Sequence, residues 1–114
     1  MYEYRAKLLK VIDGDTIDVL IDLGFDVWVK ARLRLYGINT PESRTRDKEE
    51  KKLGLQAKHI VETYLTEDLI ITTKEKGKYG RYLAVVYPSD KSLSINNYLL
   101  KLGLAKPYFG GKRN

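Results

Sequence analysis

The stretch Thr16–Leu35, TIDVLIDLGFDVWVKARLRL, decides the fold of the first half of the chain. Apolar residues recur at every second position on both sides of a short central loop, which is the period of half-buried strands. The central Asp22–Asp26 segment contains a glycine and is typical of a hairpin loop. We therefore predict two antiparallel strands, of which the second has one apolar face. Its other face carries Trp28, Lys30, Arg32, Arg34 and Tyr36.

The flanking segments extend this hairpin to five strands. An apolar run at 6–12 precedes it and ends at Asp13-Gly14, a dipeptide typical of turns. Residues 69–73 are rich in β-branched side chains and predict a fourth strand, and residues 82–87 predict a fifth.

Two helices complete the prediction. Apolar residues recur at helical spacing from about Glu49 to Leu65, between the third and fourth strands. A short helix is predicted over Ser94–Leu102, with Ser92 or Ser94 as its N-cap and Gly103 as its stop. Five strands with a helix after the third are typical of an OB-fold β-barrel, which is mainly β with helices (α+β).

The length indicates one domain. A chain of 114 residues can bury about two-thirds of its unfolded surface in one core, so we predict a single domain over 1–114, with 106–114 as an extended tail. No apolar run approaches the roughly 18 residues that a membrane helix needs, and no membrane partner is expected. The first ten residues lack the apolar core of a secretory signal. A cytoplasmic location is favoured, although the sequence leaves open the export of a longer precursor.

The composition narrows the chemistry. The chain has no cysteine and one histidine, which excludes disulfides, thiolate nucleophiles and zinc sites built on cysteine or on two histidines. Catalysis would have to rest on carboxylates, Arg, Lys, Tyr, that one histidine or an oxygen-ligated metal. The net charge of +6 favours an acidic partner, of which nucleic acid is the commonest. A solvated basic surface would give the same charge.

Two polar clusters flank the hairpin strands. In VIDGDT (Val11–Thr16), Asp15 shares the parity of the apolar strand positions, which predicts an inward-facing carboxylate that needs a partner or a metal. Alternatively, it is an ordinary turn residue. In RLRLYGINTPE (Arg32–Glu42), the chain leaves the sheet and brings Asn39, the Thr40 carbonyl and Glu42 together. Beside Asp15 these oxygens would suit calcium, whereas the alternative is a loop with a capping asparagine and a solvated glutamate.

The third cluster is the turn KYGR, Lys78–Arg81. Arg81 can fork onto a phosphate, and Tyr79 offers an aromatic face to a base. Taken alone, the tetrapeptide indicates little, because such turns are common.

The three clusters together carry a family resemblance. The order DGDT, RL-x-G-I-x-TPE and KYGR, with a helix between the last two, resembles the thermonuclease (staphylococcal-nuclease-like) family over roughly Ala6–Tyr108. The resemblance implies a five-stranded OB-type barrel and a calcium-dependent phosphodiesterase that cuts DNA and RNA. It also implies site residues by position. The implied metal ligands are Asp15, Asn39 and Thr40, the catalytic residues are Arg34, Glu42 and Arg81, and the substrate-binding residues are Lys78, Tyr79 and Tyr108.

Two features of this chain bear on that reading. Asn39 stands where the family usually has aspartate, which removes one charge and predicts calcium binding toward the roughly millimolar end of the known range. Arg34 shares a strand face with Arg32 and Lys30 rather than with the apolar row. Either a bulge turns it inward or the polar face itself lines the site.

Three functions follow from these patterns. The first is a monomeric calcium-dependent nuclease of low sequence specificity, with single-stranded DNA or RNA favoured as substrate. The second is a related barrel that binds nucleic acid without cutting it, for which Asn39 is the main support. The third is a structural or protein-interaction barrel whose basic residues are solvated surface.

Overall fold

The fold was obtained as a computed structural model, which describes residues 2–76 and 82–108. Its elements, in chain order, are β1 (Glu3–Asp13), β2 (Thr16–Asp22), β3 (Trp28–Leu35), β4 (Ile38–Asn39), α1 (Lys48–Tyr64), β5 (Asp68–Lys76), β6 (Tyr82–Pro88), α2 (Ile95–Lys101) and β7 (Lys106–Pro107). In this described part of the chain, neither helix is long and apolar enough to cross a membrane.

Five strands close into a barrel in the order β1-β2-β3-β6-β5. The pairing of β3 with β6 is parallel and the other four pairings are antiparallel. With α1 inserted between β3 and β5, the structure confirms the predicted OB-fold barrel with helices.

The pairing of β2 with β3 runs without a register shift from Thr16–Arg34 to Asp22–Trp28. Because the register is continuous, the strands alternate faces as the sequence predicts. The barrel interior receives Ile17, Val19, Leu33, Leu35, Ile71 and Val86, all fully buried. Arg34 therefore stays on the polar face of β3 without a bulge, and that face lines the candidate site.

Local capping explains where the helices begin. The carboxylate of Asp47 accepts hydrogen bonds from the backbone N–H groups of Glu49 and Glu50 and caps α1. Ser94 caps α2 by accepting from the Asn97 N–H, and Gly103, with φ of +75°, follows its C-terminal end. The helices meet where the rings of Tyr64 and Tyr98 stack with centroids 4.3 Å apart.

A two-stranded sheet lies outside the barrel, and the sequence pattern did not predict it. Ile38 pairs with Pro107 and Asn39 pairs with Lys106, so β4 and β7 are antiparallel. Each strand has two residues, too few to show a period of two. The start of the predicted extended tail is therefore paired beside the exit of β3, and residues 109–114 lie outside the described part of the chain.

A buried amide joins α2 to the barrel. Asn96 is 3% exposed, and its Oδ1 accepts from the backbone N–H of Val86 at 3.0 Å. Its Nδ2 donates to the carbonyl oxygens of Tyr36 at 2.9 Å and Ala84 at 3.2 Å. One side chain thus satisfies three backbone groups and fixes the chain after β3 against β6.

We predict that Asn96→Ala lowers the free energy of unfolding by about 2–4 kcal/mol, because it leaves buried backbone groups without partners. Urea denaturation followed by circular dichroism measures the change. Asn97→Ala is the matched control, since the side chain of Asn97 is exposed. Equal effects of the two substitutions would contradict this role for Asn96.

Candidate active site

The guanidinium of Arg34 is the centre of a polar cluster at the end of β3. Nη1 donates to the carbonyl oxygens of Ile38 at 2.9 Å and Leu35 at 3.3 Å, and Nη2 donates to Oδ1 of Asn39 at 3.0 Å. Nη1 also lies 3.5 Å from Oδ2 of Asp15. The side chain is only 12% exposed, so these oxygens replace most of its hydration and hold it in place.

The carboxylate of Asp15 is tied to both neighbouring segments of the cluster. Oδ2 accepts from the Thr40 backbone N–H at 3.1 Å and faces Arg34, while Oδ1 accepts from the Thr16 hydroxyl at 3.1 Å. Asp15 belongs to the turn before β2 rather than to the strand. The parity argument for its orientation therefore does not apply, and polar partners at the end of the barrel determine where its carboxylate lies.

The oxygen donors gathered here fit a calcium ion in kind. Asp15 and Asn39 both contact Arg34, and the Thr40 backbone is hydrogen-bonded to Asp15. Carboxylate, amide and backbone carbonyl oxygens are the donors that calcium takes in proteins. The charge is low, however, since among the described residues no three acidic, histidine or cysteine side chains form a metal-binding group. The donors suit calcium in kind, with Asp15 as the one carboxylate among Asp15, Asn39 and Thr40.

The segment at Glu42 is held by its backbone. The N–H of Glu42 donates to Oε2 of Glu50 on α1 at 3.0 Å, and the next N–H, that of Ser43, donates to Oδ1 of Asp13 at 3.2 Å. Ser43 is buried, whereas the side chain of Glu42 is exposed. Glu42 follows Thr40 by two residues in the chain. These contacts therefore hold it on the side of the molecule where Thr40 meets Asp15.

Two glycines allow the segments around Glu42 to approach one another. A Cβ on Gly54 of α1 would lie 2.4 Å from the carbonyl carbon and oxygen of Glu42. A Cβ on Gly14 would lie 2.8 Å from both Ala57 Cβ and Thr40 Oγ1. The loop therefore packs directly on the backbone of α1, with no space for a side chain between them.

The β4–β7 pairing brings Tyr108 to the cluster. Its backbone N–H donates to the Gly37 carbonyl at 2.9 Å, and the centre of its ring lies 5.7 Å from Cζ of Arg34. That distance is within the range of a cation–π interaction. Of the nine site residues expected from the sequence, contacts join Asp15, Arg34, Asn39, Thr40 and Tyr108, and Glu42 follows Thr40 by two residues. Lys78, Tyr79 and Arg81 lie outside the described residues.

Sequence reasoning missed the residues that position the cluster. Glu50 follows the cap Asp47 by three positions, the spacing of a capping box, which predicts a local contact with the helix end. In the structure its carboxylate instead reaches back eight residues to the backbone N–H of Glu42. In the sequence, Gly54 shows only as a glycine inside a predicted helix. Such a glycine lowers helix stability relative to alanine, and close packing against another segment is a common reason for it.

We predict that Gly54→Ala lowers the free energy of unfolding by about 1–3 kcal/mol, because the added methyl overlaps the Glu42 carbonyl. A glycine-to-alanine change inside a helix ordinarily raises it by about 0.5–1 kcal/mol. Urea denaturation gives the sign. Gln56→Ala, at an exposed position of the same helix, serves as the control, and a stabilised Gly54→Ala variant would refute the close contact.

Comparison with known proteins gives the same family. The family model described as staphylococcal nuclease homologue matches residues 32–114. The thermonuclease of Staphylococcus hyicus is 33% identical over 110 residues, covering 94% of this chain and 61% of that protein. The micrococcal nuclease of Shigella flexneri is 30% identical over 114 residues, covering 93% and 59%. An uncharacterised protein of Methanocaldococcus jannaschii is 33% identical over 128 residues, covering 92% and 59%.

The chain spans about three-fifths of the length of these relatives. The family match covers more than half of the chain and includes Arg34, Asn39, Thr40 and Glu42. With the barrel and the cluster described above, it shows that this chain belongs to the staphylococcal nuclease homologue family.

Proposed function

We propose that this protein is a calcium-dependent nuclease that hydrolyses phosphodiester bonds of DNA and RNA with low sequence specificity, preferring single strands. One observation carries the proposal. The guanidinium of Arg34, on a side chain only 12% exposed, is held beside Asp15 and Asn39, next to the loop that carries Glu42. A cation, oxygen ligands and an exposed carboxylate at one end of a barrel are the groups that phosphodiester cleavage needs.

Arg34 would stabilise the negative charge that develops on the phosphate oxygens during cleavage. Its guanidinium is charged at any physiological pH and is oriented before substrate arrives, because backbone carbonyls hold it from one side. Arg81 is proposed as the second guanidinium, on the family pattern. Lys78, Tyr79 and Tyr108 are proposed to bind the nucleotide, and the position of the Tyr108 ring near Arg34 supports its part in this.

Glu42 would orient the attacking water and accept its proton. The geometry suits this role because the backbone is held by Glu50 and by the adjacent Ser43–Asp13 contact, while the carboxylate itself is exposed. A general base needs a fixed position and access to water. In Glu42 the bonded backbone N–H fixes the position, and the exposed carboxylate has access to water.

Asp15, Asn39 and the Thr40 carbonyl would hold the calcium ion. When bound, the ion would neutralise charge on the phosphate and so assist attack. Since Asp15 is the one carboxylate in this set, we propose weak binding.

We expect single-stranded DNA to be cut in excess calcium and left intact with a chelator. Glu42→Gln should lower kcat by about 100- to 10,000-fold, because the amide cannot take the proton. Glu62→Gln, on an exposed part of α1, is the matched control and should leave kcat unchanged. Gel-based digestion of a labelled strand measures the rates.

The alternative function is nucleic-acid binding without cleavage, and Asn39 favours it because the site has lost a charge. Salt-sensitive binding with no cutting at any calcium concentration would establish this alternative and refute the nuclease.

We expect Asn39→Asp to tighten calcium binding on the order of ten-fold, since a second carboxylate joins Asp15. Isothermal titration with calcium measures the affinity directly and does not depend on activity. Asn97→Asp adds the same charge at an exposed position on α2 and controls for the change in net charge. If the two substitutions had the same effect, calcium would have to bind elsewhere.

A further inference from the structure

A row of cations leads away from the candidate site along the outer face of β3. Arg34 and Arg32 alternate with the buried Leu33 and Leu35, and the continuous pairing with β2 places Lys30 and then Trp28 on the same face of β3. Side chains two residues apart on a strand lie about 6.6 Å apart, so the row extends for about 20 Å. Lys30 is exposed, and the side chain of Arg32 is 53% exposed.

The row crosses a sheet that carries more positive than negative charge. Asp18 on β2 is opposite both Arg32 on β3 and Lys10 on β1. Arg32 donates two hydrogen bonds to the Asp18 carboxylate, from Nε to Oδ1 at 2.8 Å and from Nη2 to Oδ2 at 3.1 Å. This hydrogen bonding lowers the pKa of Asp18 below its usual value, and the charges of Lys30 and Lys10 lower it further. One carboxylate therefore stands among three cations, which leaves an attractive field for an anion.

Trp28 ends the row and is 41% exposed. The acid paired with it, Asp22, caps the hairpin turn by accepting from the Gly24 N–H at 2.8 Å. An exposed indole at the end of a basic strand face is the combination that binds a single nucleic-acid strand, since cations contact the phosphates and a ring stacks on a base.

We propose that a single strand of nucleic acid leaves the candidate site along this face, which we name the β3 track (Arg34, Arg32, Lys30 and Trp28). Phosphates lie against Arg32 and Lys30, and a base stacks on Trp28. The proposal rests on the proposed function, because Arg34 belongs to both the candidate site and the track. It adds a surface for the flanking nucleotides and makes binding depend on strand length.

Binding of oligothymidylates of 3 and 12 nucleotides, in chelator so that nothing is cut, tests the track. OB-folds engage about 4–16 nucleotides, so the 12-mer can cover the track and the 3-mer cannot. Trp28 is the one tryptophan of the chain. The 12-mer should quench its fluorescence and the 3-mer should not. Equal quenching by both, or none by either, would overturn the proposal.

Variants separate the track from general charge. With labelled oligonucleotides, Trp28→Ala and Lys30→Ala should each weaken binding of the 12-mer about five-fold or more and leave binding of the 3-mer within about two-fold. Trp28→Phe should restore most of the affinity. Asp18→Asn, which removes the negative charge bound to Arg32, should tighten binding of the 12-mer. Thermal unfolding of each variant confirms that it is folded.

Lys101→Ala is the matched control, because it removes one exposed positive charge from α2. An effect as large as that of Lys30→Ala would reduce the track to non-specific attraction and refute it. Unchanged 12-mer binding in the Trp28 variants, together with a changed sedimentation coefficient, would assign the surface to a protein contact instead.

The outcome is independent of the nuclease assay. Length-dependent binding without cutting would support the β3 track and refute the nuclease activity. Cutting without length-dependent binding would support the nuclease activity and refute the β3 track.

Discussion

A charged group with little solvent exposure, the guanidinium of Arg34 at the end of β3, constrains the rest of the site. The side chain of Arg34 loses most of its water, and an ion in that position is stable only with partners. It finds them in two carbonyls of the chain leaving the strand, in Asn39 and in Asp15. These contacts fix the turn by which the chain leaves β3. Gly37 in this turn has a φ of +79°, a backbone conformation that glycine adopts more readily than other residues.

The turn after β3 also determines where other parts of the site lie. It aligns β4 to pair with β7, and that pairing brings Tyr108 to the guanidinium. On the other side, Asn96 bonds the Tyr36 carbonyl and anchors the exit to β6. The segment from Thr40 to Ser43, which follows β4, is a loop without regular structure that polar contacts hold against the barrel and α1.

Three carboxylates near the site accept hydrogen bonds from backbone N–H groups. Asp15, Asp13 and Glu50 accept from three N–H groups within the segment from Thr40 to Ser43. These bonds hold the backbone of the segment, while the side chain of Glu42 is exposed at the surface. The glycines at 14 and 54 let the strand turn, loop and helix come close enough for these bonds to form.

Local patterns in the sequence predicted what depends on short-range regularity. The alternation in β2 and β3 gave the strands and their faces, and Ser94 gave the cap of α2. The clusters at 11–16 and 32–42 gave Asp15, Arg34, Asn39 and Thr40, which contacts join at one end of the barrel, and Glu42, which follows Thr40 by two residues. No such pattern predicted the β4–β7 pair, the contacts of Asn96 or the bond from Glu42 to Glu50, because each joins different elements of the fold and has no local period.

The sequence by itself determined the strands and their buried faces, because a period of two places alternate side chains on opposite faces of a strand. It also determined the chemical types available for a site, since it offers no cysteine and a single histidine. Only the tertiary structure decided which polar groups meet. Asp15 and Asn39 share the guanidinium of Arg34 because the barrel closes and the chain turns sharply after β3, and the free energy of those contacts depends on burial that no local stretch of sequence contains.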